Sequence, residues 1–237
     1  VNWSAAVTAA PRKGTFYLAD AIESIAAAGW PDGVVYADPG TPDCRWPMDY
    51  AERSVGPWPQ FQRALRGCLE SPCDAVAVFQ DDCLVARGCR EWLEAELAQW
   101  PWPDTGVVSL YTSEQIAKNF GPSRGWFCLP EKSMPRKAYG AVAIAIMRGR
   151  AEDLAKLFPR PDGRTKTDYH VACWCKDRGL RWAHHSPSLV RHVGVVSAVY
   201  TRRGNRKWMQ YRHEGEFVED CRELAENREV CCETRKR

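Results

Sequence analysis

An apolar run ends on two adjacent carboxylates in AVAVFQDDCLV, residues 75–85. Asp81 and Asp82 can do one of two things there. They can serve a turn and cap the next helix, as Asp does well at an N-cap, or they can hold a cation over a ligand. Two other apolar runs also finish on polar groups. WSAAVTA, 3–9, leads into the Thr8–Lys13 loop, and GVVYAD, 33–38, ends in Asp38. In open α/β sheets, ligands bind beyond the carboxyl ends of the strands, which would gather these distant features at one crevice. A carboxylate pair beside a basic loop is what a hard divalent cation with a diphosphate needs, because such cations prefer oxygen ligands and keep positions open for phosphate.

The elements that must position these groups alternate. Strands are expected at 3–9, 33–38, 75–79, 106–111 and 138–147, with a strand and then a loop over 180–194. Helices are expected at 15–28, where Leu18, Ala21, Ile22 and Ile25 fall at helical spacing, at 59–71, about 87–99, 150–158 and 165–179. Residues 39–57 read as loop, and the Gly-, Pro- and base-rich stretch 118–138 as a long irregular segment. The small side chains of AYGAVAIAIM, 138–147, permit close approach to the backbone. Strands alternating with helices predict an α/β domain with a mostly parallel sheet. One domain over 1–200 is expected, with 201–237 as a basic loop and a C-terminal amphipathic helix packed on it.

Composition narrows the class. The 237 residues are 45% hydrophobic and 27% charged, which fits a globular chain rather than a disordered one. No run approaches the roughly 18 apolar residues of a membrane span, and VNWSAAVTAAPRKG lacks the layout of a signal peptide. The 11 cysteines show no CxxC pair; most lie in apolar periodic segments, where free Cys acts as a small hydrophobe. A reducing, cytoplasmic compartment follows as the expectation. His184 and His185 with Cys173 and Cys175 could suggest zinc, but Cys-x-Cys on a helix points its thiols apart. Ser186 and Ser188 lack the context of a nucleophile elbow. Net charge is only +3, so bulk electrostatics does not demand nucleic acid.

The order of these motifs resembles a compact glycosyltransferase of the GT-A fold. VTAAPRKGTFYLADAIESIAAAGWPDGVVYAD resembles that fold's nucleotide-binding opening, and VFQDDCLV its acidic DxD segment, written here as xDD. KTDYHVACWCKDRGLRWAHHSPSLVRHVGVVSAV resembles its closing block, so the match covers roughly 3–198. The resemblance implies a UDP-sugar donor and Mn²⁺ or Mg²⁺. Asp82 and His192 would hold the cation, imidazole suiting Mn²⁺ better than Mg²⁺; otherwise His192 is a structural histidine. Thr8, Ala10, Arg12, Asp38, Asp81 and Ser197 would surround the donor. Arg12 can give bidentate hydrogen bonds to phosphate, or be a solvated loop residue. Asp168 stands where inverting members keep their general base, or simply complements a helix dipole. Gln80 occupies a place where many members carry an acid, which removes a third carboxylate.

The acceptor is carried by less. Trp126, read as a loop residue, could stack on a sugar or base, and Tyr139 and Gly140 begin the small-residue strand. Arg202, Arg203 and Arg206 belong to RRGNRKWMQYRH, 202–213, which interleaves basic and aromatic side chains as phosphate contact with base stacking requires. Compact enzymes of this kind include phage-type enzymes that glycosylate hydroxymethylated pyrimidines in DNA, and bacterial enzymes of surface polysaccharides. The expectation is therefore an inverting hexosyl transfer to 5-hydroxymethylcytosine in double-stranded DNA, in host cytoplasm if phage-encoded, with no obligate protein partner. The alternatives are a glycan acceptor and a non-enzymatic nucleic-acid-binding module.

Overall fold

In the computed structural model the described residues are 1–11, 17–97, 103–122, 124–131, 134, 140–158, 166–193 and 217–224. The chain opens with strand β1 (Trp3–Ala9), helix α1 (Leu18–Ala27) and strand β2 (Val34–Ala37). A short strand β3 (Met48–Tyr50) follows, then helix α2 (Pro57–Glu70), strands β4 (Ala75–Gln80) and β5 (Cys83–Val85), and helix α3 (Cys89–Leu97). The second half holds β6 (Thr105–Ser109), α4 (Glu114–Phe120), β7 (Gly125–Cys128) and β8 (Ala143–Met147). It continues with α5 (Arg148–Ala155), α6 (Thr167–Asp177), β9 (Arg181–Ser186) and β10 (Val190–His192).

Eight strands form one sheet in the order β3-β2-β1-β4-β8-β6-β9-β7, and β5 pairs with β10 in a separate ribbon. Strands β8 and β7 run against the other six, since β8 is antiparallel to both β4 and β6, and β7 to β9. The mostly parallel α/β sheet is thus present, and helices cover both faces. On one face α1 and α3 contribute Leu18, Ile22, Ile25, Trp92 and Leu93 to a core with Val7, Phe79, Ala143 and Ala145. On the other, α2, α5 and α6 bring Trp58, Phe61, Leu65, Leu154 and Trp174 against Val76, Val78, Ile144 and Ile146. The alternation of β8 explains its composition: its alanines face one layer and its isoleucines the other. Strand β4 is buried from Ala75 to Phe79, as a central strand covered on both faces must be.

Local sequence sets the boundaries. Pro57 opens α2 at its first position, where the missing N–H costs nothing, so this helix starts two residues earlier than periodicity alone placed it. Ser113 caps α4 by accepting from the Ile116 N–H at 3.3 Å. Gly179, at φ +62°, ends α6 in the left-handed conformation that glycine adopts without steric cost. Four short strands depart from expectation. β3 lies in the stretch read as loop, β7 in the stretch read as irregular, β5 directly after Asp82, and β10 where the 180–194 segment was expected to relax into loop. Helix α4 likewise reaches into the supposed irregular stretch. Strand β8 begins only at Ala143. Of the C-terminal helix expected from Glu216 onward, residues 217–224 are described: Phe217 and Asp220 make isolated bridges to Ser188 and Arg87, and only 222–224 are helical; the rest of 201–237 lies outside the described residues.

His184, on β9, is buried in this core. Its ring stacks between Phe127 and Trp182 at 5.7 and 5.8 Å, and Nδ1 lies 3.4 Å from Thr112 Oγ1. Burial depresses its pKa to about 3, so the folded chain holds it neutral where the unfolded chain would protonate it near pH 6.5. The unfolded state then binds more protons below pH 6.5, and each unit of acidification toward pH 3 removes up to about 1.4 kcal/mol of stability through this group. Denaturant titrations between pH 7 and 4 should show this slope, and His184→Gln should flatten it even where the variant is less stable at pH 7. An unchanged slope in the variant would assign acid lability to other groups.

Candidate active site

The carboxyl ends of β1, β2 and β4 converge. Parallel pairing sets Thr8 beside Tyr36 on one side and Gln80 on the other, so the turns after Ala9, Ala37 and Gln80 face one edge of the sheet. Asp81 is tied into that edge by its own N–H, which donates to Thr8 O at 3.1 Å. Its Oδ2 accepts from the Ala10 N–H at 3.3 Å. Thr8 Oγ1 donates to Phe79 O at 3.3 Å. Ala10 and Asp81 therefore meet, with a backbone N–H and a carboxylate directed at one another.

Asp82 takes the chain out of the sheet and into the β5–β10 ribbon. Cys83 pairs with His192 there, Leu84 with Arg191 and Val85 with Val190. This register brings the imidazole to the carboxylate: His192 Nε2 lies 2.9 Å from Asp82 Oδ2, and the Val193 N–H donates to Asp82 O at 2.8 Å. Asp82 is only 3% exposed, whereas the His192 side chain keeps 36% of its surface. The pair is therefore open from the histidine side. Ser24 Oγ on α1 accepts from the Val85 N–H at 3.2 Å, and the Ala86 N–H donates to Leu189 O at 2.9 Å. The first bond fixes the ribbon against the main domain, the second extends the ribbon's own ladder, and the Leu189 N–H anchors it further by donating to Leu110 O at 2.9 Å.

Asp168, in the first turn of α6, accepts from two successive backbone N–H groups, Gly140 at 3.1 Å and Ala141 at 2.6 Å. Burial raises its pKa, and these two bonds with the positive charges of Lys166 and His192 oppose the rise. Tyr111 rests edge-on against the His192 ring, centroids 6.0 Å apart at 71°. Burial raises the Tyr111 pKa as well, with the Asp168 charge adding to it. Asp168, Tyr111 and His192 thus lie close enough for their charges to act on one another. Gly140 adopts φ +135°, and a Cβ there would stand 2.4 Å from Ser109 Oγ. That hydroxyl lies 2.7 Å from Gly140 O and 2.6 Å from Tyr111 O, linking both ends of the site.

The remaining expected residues are distributed differently. Asp38 is buried at the end of β2, and its carboxylate accepts from Ser54 Oγ and from the Val55 N–H at 3.4 Å, so part of its work is to hold the 51–56 loop. Gln80 Nε2 donates to Ala141 O at 3.3 Å, a bond to the segment that also carries the Asp168 acceptor contacts. Trp126 lies in strand β7 rather than in a loop. Its Nε1 donates to Glu96 Oε2 at 2.8 Å, and its ring packs edge-on against His185 at 4.8 Å. Arg12, Tyr139, Ser197, Arg202, Arg203 and Arg206 lie outside the described residues. No group of three His, Cys, Asp or Glu able to hold a metal occurs among the described residues, which leaves His184, His185, Cys173 and Cys175 without a zinc site. Tyr111, Ser109 and Ser54 were not singled out from sequence. Ser109, a hydroxyl inside the apolar run GVVSLY, carried a signal; Tyr111 and Ser54 did not.

No family model and no curated protein matches this sequence. Solved structures do match by shape. Residues 1–349 of S. aureus TarS in complex with UDP share 11% identity over 79% of this chain and 59% of that chain, at a TM-score of 0.54. A second structure of S. aureus TarS 1–349 gives 12% identity, equal coverages and a TM-score of 0.50. A cytidylyltransferase from Leptospira borgpetersenii serovar Hardjo-bovis gives 11% identity over 76% of this chain and 74% of that chain, at 0.47. The match spans under two thirds of TarS. What the two TarS likenesses carry is the fold alone, a GT-A-like α/β domain. No described helix is long and apolar enough to cross a membrane.

Replacing Gly140 by Ala puts a methyl against Ser109 in a backbone region that L residues rarely adopt, at a cost of about 1–3 kcal/mol. Gly140→Ala should lower the melting temperature by several degrees, and Gly140→Ala with Ser109→Gly should recover part of the loss. Equal stability of Gly140→Ala and the parent would show that the close approach is absent.

Proposed function

We propose that the chain is a metal-dependent glycosyltransferase that moves a sugar from a UDP-sugar to a hydroxyl acceptor, with inversion at the anomeric carbon. The observation that carries this reading is the 2.9 Å pair of Asp82 and His192, joined across 110 residues at the sheet edge that also holds Asp81 and the Ala10 turn.

The donor set fits a divalent cation. The buried Asp82 carboxylate and the partly open His192 imidazole would hold the cation from the chain's side, a pair of oxygen and nitrogen donors that suits Mn²⁺ or Mg²⁺ sites kept open for substrate. A bound cation would supply charge stabilisation for the departing diphosphate. The residues do the rest. Asp81 and the Thr8–Ala10 turn border the donor, with Arg12, Asp38 and Ser197 assigned beside it. Asp168 takes the proton of the acceptor hydroxyl as its oxygen bonds to the anomeric carbon and the bond to the diphosphate breaks. A raised pKa brings a carboxylate nearer the operating pH, which favours general-base work. The two N–H donors from Gly140 and Ala141 hold Asp168 in place for it.

For the acceptor we propose the hydroxymethyl group of 5-hydroxymethylcytosine in DNA, on the basic and aromatic sequence pattern at 202–213 with Arg202, Arg203 and Arg206. Gly140, Tyr139 and Trp126 are the further acceptor residues of this reading. A glycan is the alternative acceptor.

Purified protein with Mn²⁺ and a panel of UDP-sugars should release UDP, and Asp82→Asn should reduce that release by about 100-fold or more while the melting temperature stays within a few degrees. Asp168→Asn should slow transfer by about 10²–10⁴-fold and leave UDP binding intact. Hydroxymethylcytosine DNA left unmodified beside an efficiently glycosylated saccharide would overturn the DNA acceptor. Absence of UDP release with every donor tested would overturn the enzyme reading itself.

A further inference from the structure

The described part of the C-terminal segment, residues 217–224, docks on the ribbon that carries Asp82 and His192. The Val218 N–H donates to Ser188 O at 3.0 Å, the Arg87 N–H to Glu219 O at 2.9 Å, and the Cys221 N–H to Arg87 O at 2.9 Å. The Arg191 guanidinium lies 4.9 Å from the centre of the Phe217 ring. Val218, Cys221 and Leu224 enter the same core as α3 and β5. Cys89, at the start of α3, is two residues beyond Arg87 and fully buried, and Cys221 is 2% exposed. The neighbouring Cys221 thiol together with burial raises the Cys89 pKa well above that of a free thiol. Both are reduced cysteines here.

We propose that Cys89 and Cys221 are a modification site, a dithiol that a low-molecular-weight disulfide oxidises to an intramolecular bridge, fastening residues 217–224 to the β5–β10 ribbon. The step balances as two protein thiols and one small disulfide giving one protein disulfide and two small thiols. A thiolate attacks a sulfur of the reagent, forming a mixed disulfide and releasing one small thiol. The second protein thiol, losing its proton, then displaces the other. Because both sulfurs are buried, the reagent reaches them when 217–224 lifts from the core, and redocking brings the second sulfur to the mixed disulfide. The cross-link closes a long loop, so it restricts the unfolded chain strongly. This inference rests on the docked segment and is independent of the reaction proposed above.

The test incubates the whole native chain with oxidised glutathione and maps peptides without reduction. The expected product joins the Cys89 and Cys221 peptides with the loss of two hydrogens, and dithiothreitol reverses it. The melting temperature should rise by about 5 °C or more, and Cys221→Ser should abolish both the linked peptide and the rise. Bridging of Cys221 to Cys231 or Cys232 instead, or reaction of Cys89 and Cys221 only after denaturant is added, would overturn the proposal. Peptide mapping of the unmutated chain decides the matter even if Cys221→Ser folds poorly.

Discussion

Two adjacent carboxylates are buried at the end of a central strand, and the rest of the edge is arranged to make that burial tolerable. A charge taken out of water without partners costs several kcal/mol. Asp81 answers with the Ala10 N–H, and Asp82 with His192. The two answers pull the chain in different directions. Asp81 ties β4 to the turn after β1, inside the sheet, whereas Asp82 requires a strand from the far end of the chain. The β5–β10 ribbon exists at the point where these demands separate, and Ser24 and Leu189 secure it to the domain.

A second group of contacts is built on the same economy. Asp168 starts a helix, yet its carboxylate accepts N–H groups from Gly140 and Ala141 rather than capping its own turn. Those N–H groups stand just before β8, the strand that is inserted antiparallel between β4 and β6. Gln80 reaches the same segment through Ala141 O. The short stretch 140–142 therefore connects the end of β4 with the start of α6, and its glycine allows the approach to Ser109 that makes the connection close. Gln80 in place of an acid fits this arrangement, because an amide N–H can donate to a carbonyl where a carboxylate could not.

Much of this was legible in the sequence, and the failures have physical causes. Long apolar runs such as 75–79, and the helical spacing of Leu18, Ile22 and Ile25, report burial directly. Strands of three or four residues, such as Cys83–Val85 and Val190–His192, are too short for a period to register and depend on pairing with distant partners. The resemblance pointed to Asp82 and His192 as a pair, and the ribbon register is what places them together. Trp126 was misplaced because loop-rich composition around it concealed a four-residue edge strand. The further role of Asp38 in holding Ser54 was not legible, because that hydroxyl comes from a stretch with no pattern of its own.

The ribbon also has a consequence for how the chain acquires its site. Sheet strands β1, β2 and β4 can pair earlier, since fewer residues separate them, but β5 finds β10 only after more than a hundred residues of intervening chain have folded back. Closing so long a loop carries an entropic cost that must be met before the contact rewards it. During synthesis, β10 leaves the ribosome well after the sheet edge bearing Asp81 and Asp82 has emerged. The nascent chain thus carries its carboxylates for some time without their histidine, and the complete edge becomes available only to a chain whose core is already closed.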